Sequence, residues 1–373
     1  MKKIIVLGAG LVGRTIAREL SNEYHVTSVD SNTSRLESLA NNKINTLAAD
    51  LSSPSEIKKA IKDYDLVIGA LPGFMGFNAL KSAIEAGKNV VDISFFSEDP
   101  FMLNDLANEK GVTAVVDCGV SPGLSNVILG YHNRQMKIEN YKCIVGGLPI
   151  KRDWPFEYKA YFSPIDVIEE YVRPARIIVD GKLIEKPALS EPEIISYENV
   201  GELEAFNTDG LRSLIKTMNI PNMIEKTLRY PGHIELMKVF REVGFFSEKE
   251  IEVKGKLIKP VELTAKLLFP FWSPEEDEKD FTLLELYFDG NKDGKKSSYH
   301  YFIFDQFDPV ENNSSMARTT GFTCCAVARF LLENDFKRKG ICPPEFLGED
   351  EACYNFVLSF LNKKNIKVEH TIL

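Results

Sequence analysis

Three glycines close to the start of the chain have the spacing of a phosphate-binding turn. They follow a short apolar run and precede a helical pattern, in a segment that reads Gly8, Ala9, Gly10, Leu11, Val12 and Gly13. In such a turn the first glycine permits a tight bend, the second leaves room for a pyrophosphate, and the third lets the helix approach the strand. The helix N-terminus offers amide donors and a positive dipole end to the anion. The segment therefore predicts a dinucleotide-binding site.

Three further segments follow predicted strands and extend this site. Asp30 ends the second predicted strand, twenty positions after Gly10. Its carboxylate can accept hydrogen bonds from both hydroxyls of an adenosine ribose and would repel a 2′-phosphate, so NAD is expected rather than NADP. Asp50 ends the third predicted strand and either reaches the adenine or caps the turn that follows it. Leu71 and Pro72, after the fourth predicted strand, are expected to line the path of the cofactor.

Polar side chains also end the fifth and sixth predicted strands, where a doubly wound sheet binds its ligands. These are Asp92 and Ser94 on the fifth strand and Asp117 on the sixth. A carboxylate beside a nicotinamide can act as a general base or hold a substrate ammonium, but either aspartate can also cap a neighbouring turn. Cys118 follows Asp117, and we interpret it as a buried small side chain because no histidine is near it in sequence.

Two later segments bring together side chains that recognise carboxylates or transfer protons. One contains Arg229, Tyr230 and His233, and the other contains Arg318 and Thr319. A guanidinium can pair with a substrate carboxylate through two parallel hydrogen bonds. Among the five histidines, His233 has the neighbours most typical of a functional base.

The elements that must position these residues are predicted most clearly in the first third of the chain. Apolar runs rich in β-branched residues alternate there with helical patterns, and they begin at Lys2, His25, Ile44, Asp65, Asn89 and Val112. Six such runs separated by helices predict an α/β fold with a Rossmann-type, doubly wound parallel sheet.

After about Gly119 the pattern changes to alternating apolar and polar residues. These runs begin at Tyr141, Ala175, Phe281 and Ser298. Alternation is typical of antiparallel strands with one solvated face, so a second α+β domain is predicted. Hairpin turns are expected at Asp180-Gly181 and Asp289-Gly290, and a loop from Glu275 to Asp280. Helical patterns return at about 321–334 and 349–363.

Length and composition exclude several classes of protein. A chain of 373 residues is long enough for two domains, and its net charge of −9 disfavours nucleic acid as a partner. Its six cysteines form no Cys-x-x-Cys pair, so a reducing compartment is expected and no metal site is predicted. The most continuous apolar stretch, 66–80, is shorter than the roughly 20 residues that cross a bilayer. We expect a soluble cytoplasmic protein with no membrane partner.

Seven segments, spread in order over nearly the whole chain, resemble the saccharopine dehydrogenase-like family, most closely its lysine 6-dehydrogenase branch. They are Gly8–Gly13, Val91–Ser94, Val116–Asn126, Glu204–Leu214, Thr227–His233, Met316–Phe322 and Pro343–Gly348. The resemblance implies a Rossmann domain of residues 1–120 and about 321–373. It also implies an inserted mixed-sheet domain, 121–320, for substrate binding and subunit contacts in a homo-oligomer.

The activity implied by the resemblance is hydride transfer from a carbon that bears an amine, through an imine, with a nicotinamide cofactor. The expected substrate is the ε-amine of the amino acid L-lysine, and the expected products are 2-aminoadipate semialdehyde, which cyclises, and ammonia. Arg318 or Arg229 would hold the substrate carboxylate, and Asp92, Asp117 or His233 would be the base.

Other substrates and a non-enzymatic role stay open. Saccharopine-type enzymes commonly have an Asn-Arg-Asp-Ser segment where this chain has Asn207–Gly210 without the arginine, which argues against binding a second dicarboxylate arm. The alternatives are a saccharopine dehydrogenase or reductase, a carboxynorspermidine-type polyamine dehydrogenase, and a non-catalytic NAD-sensing protein.

Overall fold

The computed structural model describes residues 1–40, 43–275 and 278–373, which form two compact units. The first unit comprises Met1–Met136 and Met316–Val368, and the second comprises Lys137–Ser315 and Glu369–Leu373. Two positions of the predicted loop from Glu275 to Asp280, Glu276 and Asp277, lie outside the described residues.

The first unit is built on a parallel sheet of seven strands. The strands are β1 (Lys3–Leu7), β2 (His25–Asp30), β3 (Ile44–Ala48), β4 (Leu66–Gly69), β5 (Asn89–Asp92), β6 (Thr113–Val115) and β17 (Gly340–Ile341). Their order is β17-β6-β5-β4-β1-β2-β3, so the chain winds outward in both directions from β1. The six predicted strands and the Rossmann-type fold are confirmed. The seventh strand has only two residues, too few for any periodic pattern to show.

Helices cover this sheet, and its central strands are almost completely buried. The helices are α1 (Leu11–Leu20), α2 (Thr33–Glu37), α3 (Pro54–Ile61), α4 (Gly73–Glu85), α5 (Asn104–Glu109), α6 (Leu124–Asn133), α11 (Ser315–Glu333), α12 (Pro344–Gly348) and α13 (Glu351–Lys363). Continuous apolar strands form here because both faces of a parallel sheet pack against helices.

The division of the chain differs from the expected boundaries of 120 and 321. Helix α6 packs closely on α12, and an added Cβ at Gly130 would lie 2.0 Å from the carbonyl oxygen of Glu345. This close helix contact places the residues up to Met136 in the first unit. The last five residues leave the first unit and pair with a strand of the second. Neither feature has a local sequence signal, because each depends on contacts between distant segments.

The second unit contains a larger, mixed sheet. Its strands are β7 (Lys137–Pro149), β8 (Ala175–Val179), β9 (Lys182–Lys186), β10 (Glu193–Tyr197), β11 (Gly201–Asn207), β12 (Asn222–Arg229), β15 (Asp280–Lys292), β16 (Lys295–Gln306) and β18 (Glu369–Ile372). The main path runs β10-β11-β12-β7-β15-β16-β18, and β8 and β9 branch from β12. The pair β12 and β7 is parallel, so the sheet is mixed. This confirms the mixed-sheet domain that the resemblance implied, whereas the alternating pattern alone indicated antiparallel strands.

Helices and a small hairpin complete the second unit. They are α7 (Pro164–Val172), α8 (Leu214–Thr217), α9 (His233–Val243), β13 (Ile251–Val253), β14 (Lys256–Ile258) and α10 (Pro260–Trp272). The apolar core of the unit joins side chains of α7, α9 and α10 to one face of the sheet, with Tyr171 and Trp272 fully buried.

One of the two predicted hairpin turns is wrong. Asp180-Gly181 connects β8 to β9 as expected, with positive φ at both residues. Asp289-Gly290 instead lies inside β15 at a register shift, and the turn is formed by Asp293-Gly294, which has the positive φ values of 53° and 81°. Gly290 is needed for a different reason, since a Cβ there would lie 2.0 Å from the carbonyl oxygen of Lys137 on the neighbouring strand.

Two classes of site are not found in the described part of the chain. No helix there is both long and apolar enough to cross a membrane. The same residues contain no cluster of three or more histidine, cysteine or acidic side chains arranged to hold a metal ion. All six cysteines are buried, and none of them forms a disulfide bond.

Candidate active site

The predicted cofactor and catalytic residues of the first unit follow the carboxyl ends of neighbouring parallel strands. Asp30 ends β2, Leu71 and Pro72 follow β4, and Asp92 ends β5. The glycine-rich turn follows β1, which lies between β2 and β4. Because the strands are parallel, these side chains share one edge of the sheet, where such folds bind ligands.

The glycine-rich turn has the geometry that a pyrophosphate requires. Gly8 has a φ of 109°, and a Cβ there would lie 2.3 Å from the carbonyl oxygen of Ala70. A Cβ at Gly13 would lie 2.1 Å from the carbonyl oxygen of Gly8. Helix α1 can therefore lie this close to the turn only with glycine at position 13. Gly10 has open space at its Cβ position, and no side chain caps the N-terminus of α1. The first amides of α1 therefore suit an anionic ligand.

Asp30 lies beside this turn and is nearly buried. One carboxylate oxygen accepts a hydrogen bond from the amide of Ala9 at 2.8 Å, and the other accepts from the amide of Asn32 at 2.8 Å. The Arg35 guanidinium is 3.8 Å from the first oxygen and is largely exposed. A carboxylate at the end of β2 fits a ribose, while Arg35 supplies a neighbouring positive charge that no sequence motif predicted.

Asp50 has the local role that the sequence left open. It is exposed, and one of its oxygens accepts hydrogen bonds from both the amide and the hydroxyl of Ser52, at 2.9 and 2.6 Å. These hydrogen bonds lower the pKa of Asp50. Two roles were predicted for Asp50, contact with the adenine and capping of the turn that follows it. The structure shows that Asp50 caps this turn.

Leu71 and Pro72 lie close to the glycine-rich turn. A Leu71 methyl group is 3.5 Å from the position of a Cβ on Gly8, and Pro72 precedes the first turn of α4. Their placement fits the predicted lining of the cofactor path.

Asp92 and Ser94 form a buried pair at the end of β5. The amide of Ser94 donates to one oxygen of Asp92 at 2.8 Å, and its hydroxyl donates to the other at 3.3 Å. Two glycines make room for the pair. A Cβ on Gly69 would lie 1.7 Å from an Asp92 oxygen, and one on Gly76 would lie 2.4 Å from the Ser94 Cβ. Neither glycine was predicted to be a site residue from the sequence, although the position of Gly69 at a strand end is a recognisable signal.

Asp117 and Cys118 follow β6. Asp117 is buried with a φ of 54°, a conformation uncommon for any residue but glycine. The amide of Cys118 donates to the carbonyl oxygen of Asp92 at 2.9 Å, which brings the two strand ends together. Burial raises the pKa of the Cys118 thiol, so it stays protonated and has the packing role that the sequence favoured.

Arg318 and Thr319 lie within the first five residues of α11 and are buried. The Arg318 guanidinium donates to the carbonyl oxygen of Lys364 at 2.9 Å and lies 5.7 Å from the ring centroid of Phe322. The Thr319 hydroxyl is directed to the carbonyl oxygen of Met316 at 3.4 Å. The bond to Lys364 uses only one of the five N–H donors of the guanidinium, so the role of Arg318 as a carboxylate anchor stays a prediction.

In the second unit, Arg229 belongs to a buried network and not to an open site. Its guanidinium donates to Glu170 at 2.8 Å and to the Tyr171 hydroxyl at 3.1 Å, and it lies 4.4 Å from the ring centroid of Tyr158. These contacts satisfy the arginine inside the unit. Its predicted role as a substrate anchor is therefore not supported. No sequence pattern indicated this pairing, because Glu170 lies 59 positions away from Arg229.

His233 continues the same network. Its Nε2 atom is 2.9 Å from the Tyr171 hydroxyl, and its Nδ1 atom is 2.8 Å from the carbonyl oxygen of Phe156. A carbonyl can only accept, so Nδ1 carries the proton and Nε2 accepts from the tyrosine. Burial, reinforced by Arg229, lowers the pKa of His233 to about 3. A neutral, fully bonded histidine does not suit the predicted role of catalytic base.

Tyr230 also points into the second unit. Its hydroxyl donates to the carbonyl oxygen of Pro149 at 2.9 Å, and the Arg152 guanidinium lies 4.5 Å from its ring centroid. Its predicted contact with substrate has no support from these interactions.

Comparison with known proteins identifies the family. Residues 4–115 match the protein-family model of the saccharopine dehydrogenase NADP binding domain, and residues 119–366 match that of the saccharopine dehydrogenase C-terminal domain. The chain belongs to the saccharopine dehydrogenase family. It is therefore an amino-acid dehydrogenase of that family, an oxidoreductase acting on amine donors, and its first unit is an NAD(P)-binding domain.

Two distant relatives and one solved structure align with nearly the whole length of this saccharopine dehydrogenase family member. A saccharopine dehydrogenase (NADP(+), L-glutamate-forming) of Pyricularia oryzae is 22% identical over 92% of this chain and 93% of its own. A carboxyaminopropylagmatine dehydrogenase of Synechocystis is 24% identical over 94% of both chains. The apo saccharopine dehydrogenase (L-Glu forming) structure from Saccharomyces cerevisiae has 20% identity and a TM-score of 0.78 over both whole chains, which confirms the fold.

The histidine network predicts a specific dependence of stability on pH. Below about pH 6.5 the unfolded chain binds a proton at His233, whereas the folded chain does not do so until the pH is near 3. Between about pH 7 and pH 5 this difference should remove about 2 kcal/mol from the free energy of unfolding. The His233→Gln variant should lack that part of the pH dependence in urea unfolding curves.

The matched control is His25→Gln, which replaces an exposed histidine of the first unit. It should keep the wild-type pH dependence. If the free energy of unfolding changed equally with pH in the wild type and in His233→Gln between pH 7 and pH 5, the buried neutral state of His233 would be contradicted.

Proposed function

We propose that this chain catalyses the NAD-dependent oxidative deamination of the ε-amine of L-lysine, giving 2-aminoadipate semialdehyde and ammonia. The observation that carries the proposal is the buried Asp92–Ser94 pair, which ends β5 on the same sheet edge as the glycine-rich turn. A buried carboxylate near a dinucleotide site suits proton transfer from an amine.

The cofactor would be held by the residues of that edge. The first amides of α1 would bind the pyrophosphate, and the Asp30 carboxylate would bind the ribose hydroxyls. When bound, a nicotinamide cofactor supplies an acceptor for the hydride of the carbon that bears the amine.

Asp92 has the task of removing a proton from the substrate. The ε-amine of lysine has a reference pKa of about 10.4 and is protonated at neutral pH, so the nitrogen lone pair is not available to form an imine. Asp92 accepts a proton from the ammonium, and the Ser94 amide and hydroxyl hold the carboxylate in place. Asp117, on the adjacent strand end, is the second carboxylate that can stabilise the cation. Water then hydrolyses the imine to the aldehyde and ammonia.

Asp30 supports the preference for NAD. Its negative charge disfavours a 2′-phosphate, although the P. oryzae relative is named as an NADP(+) enzyme. Asp30→Asn keeps an oxygen that can accept from Ala9 and removes the charge. We expect this variant to shift the ratio of kcat/KM for NAD over NADP by about 10- to 100-fold toward NADP.

The double variant Asp30→Asn/Arg35→Ala is the control for the source of that shift. Arg35 lies next to the Asp30 carboxylate and should attract the 2′-phosphate once the carboxylate is neutral. The double variant should lose most of the gained NADP activity. A wild-type enzyme that already prefers NADP would overturn the assignment of NAD.

A secondary amine is the second candidate substrate. It is favoured by the names of two relatives, a saccharopine dehydrogenase and a carboxyaminopropylagmatine dehydrogenase, that align over more than nine-tenths of this chain. Of the two predicted carboxylate anchors, Arg229 is engaged inside its unit, and the role of Arg318 stays a prediction. Whether the enzyme requires a substrate α-carboxylate is therefore the property that best separates the candidates.

The test is a substrate panel that follows reduced-nicotinamide absorbance with NAD and with NADP. It contains L-lysine, saccharopine, carboxynorspermidine, L-ornithine and cadaverine, which has no carboxylate. Turnover on lysine with release of ammonia, and none on cadaverine, is the expected result. Turnover on saccharopine or carboxynorspermidine instead would move the assignment to a secondary amine. NAD binding by calorimetry without turnover on any amine would favour a non-catalytic NAD sensor.

A further inference from the structure

Glu345, on α12, is a fully buried carboxylate of the first unit that the proposed mechanism does not use. One of its oxygens accepts a hydrogen bond from the Nδ2 atom of Asn126, on α6, at 3.0 Å. The two helices lie close together, because an added Cβ at Gly348 would be 2.1 Å from the carbonyl oxygen of Val127. Burying a carboxylate costs free energy, which this hydrogen bond helps to offset.

Asn126 connects Glu345 to the loop that follows β6. A carboxylate can only accept, so the bond to Glu345 determines that Nδ2 is the end of the Asn126 amide that faces α12. The Oδ1 atom therefore faces the loop, where it accepts from the amide of Gly123 at 3.2 Å and from the Ser125 hydroxyl at 3.0 Å. A reversed amide would present an NH₂ group to these two donors and would lose both hydrogen bonds.

The Ser125 hydroxyl extends this chain of hydrogen bonds to Ser121. Its single proton has two acceptors within reach, Asn126 Oδ1 at 3.0 Å and Ser121 Oγ at 3.1 Å. Glu345, Asn126 and Ser125 are buried, whereas Ser121 is half-buried. The chain of hydrogen bonds thus runs from the interior of the unit to a hydroxyl that is partly open to solvent.

The loop of residues 119–123 continues the sheet edge that holds the candidate catalytic residues. It follows Cys118, whose amide donates to the carbonyl oxygen of Asp92 at 2.9 Å. The loop is compact, because an added Cβ at Gly123 would lie 1.9 Å from the carbonyl oxygen of Gly119. Since the loop begins at the carboxyl end of a parallel strand, its polar groups belong to the edge where such folds bind ligands.

We propose that Glu345 is a positioning residue of the active site. Through Asn126 and Ser125 it holds loop 119–123 in one conformation, in which the Ser121 hydroxyl meets the amine of the substrate. A hydroxyl oxygen accepts a hydrogen bond from an amine, and a group that is already ordered loses less entropy when the ligand binds. The proposal rests on the proposed function in placing an amine at this edge, but not on which amine it is.

Steady-state kinetics of variants test the proposal, with L-lysine or with the amine that the substrate panel selects. Glu345→Leu and Ser121→Ala should each lower kcat/KM for the amine about 10-fold, the effect of one misplaced hydrogen bond. The double variant should lie within about threefold of either single variant, because both changes act through the same hydroxyl. Glu345→Gln keeps an oxygen that can accept from Asn126 and should remain within about threefold of the wild type.

Hydrogen exchange gives a second measurement that does not require turnover. The amides of Gly123 and Leu124 should exchange at least about 10-fold faster in Glu345→Leu than in the wild type, and Glu345→Gln should keep their protection. The matched control is Glu349→Leu, which removes a more exposed carboxylate that pairs with Arg338. It should leave both kinetics and exchange unchanged. In every variant the dissociation constant of NADH should change by less than about threefold.

Three results would each overturn the proposal: multiplying losses of kcat/KM in the double variant, wild-type kinetics in a folded Glu345→Leu, or unchanged exchange at Gly123. If circular dichroism shows that Glu345→Leu does not fold, Ser125→Ala interrupts the same chain of hydrogen bonds without changing α12. Its kcat/KM should match that of Ser121→Ala, and a wild-type value would contradict the proposal. A wild type without turnover on any amine would overturn the proposed function instead, and exchange would then decide whether Glu345 holds the loop.

Discussion

Asp92→Asn should lower kcat by a factor of about 10² to 10⁴, the usual contribution of a positioned general base. Asparagine has nearly the same shape and keeps an oxygen that can accept from the Ser94 amide, so the local structure should be retained. It cannot take a proton from the substrate ammonium. The dissociation constant of the cofactor should change by less than about threefold, because the carboxylate acts on the amine and not on the dinucleotide.

Steady-state kinetics of the variant, with cofactor binding measured by fluorescence, test this expectation. Asp63→Asn is the matched control, because it removes an exposed carboxylate of the same unit. It should leave kcat and cofactor binding as in the wild type. Unchanged turnover in Asp92→Asn would remove Asp92 from the mechanism and leave Asp117 as the remaining carboxylate of the strand ends.

The second large effect concerns stability and comes from the buried pair of Arg229 and Glu170. Glu170→Leu should reduce the free energy of unfolding by about 3 to 5 kcal/mol, because it leaves the Arg229 guanidinium charged and without its carboxylate inside the second unit. Adding Arg229→Met should restore most of the loss, since two apolar side chains of similar volume need no partner.

Urea unfolding of the single and double variants measures this difference. The control is Glu169→Leu, one position earlier in the chain. It removes the ion-pair partner of Arg173, and the Glu169 side chain is more exposed than that of Glu170. That surface pair should contribute at most about 1 kcal/mol. Equal losses in Glu170→Leu and Glu169→Leu would show that the buried pair contributes no more than a surface one.

The fold of the first unit could be predicted almost completely from local patterns. Most of its six longer strands are short apolar runs, and the glycine-rich turn occupies adjacent positions in sequence. Such signals depend only on residues within one element or its connection. The candidate residues Asp92 and Ser94 could be found in the same way, because a strand end is visible in sequence and the carboxyl ends of parallel strands form the binding edge.

Predictions that required knowledge of distant partners were less successful. The segment with Arg229 and His233 has the composition of an active site, but its side chains are satisfied by Glu170, Tyr171 and Phe156. The same residue types that bind a substrate also form buried networks, and composition does not distinguish the two. Similarly, Asp289-Gly290 and Asp293-Gly294 are equally good turn sequences, and strand pairing selects the second.

The sequence by itself therefore determined the dinucleotide-binding sheet, its glycine-rich turn and the acidic residues at its strand ends, because each of these depends on the order of neighbouring residues. Tertiary structure alone decided which charged side chains are available, as with Arg229, whose partner is 59 positions away. It also decided that α10 keeps an apolar face exposed. The physical reason is that burial and pairing are set by contacts between segments, and such contacts leave no regular spacing in the sequence.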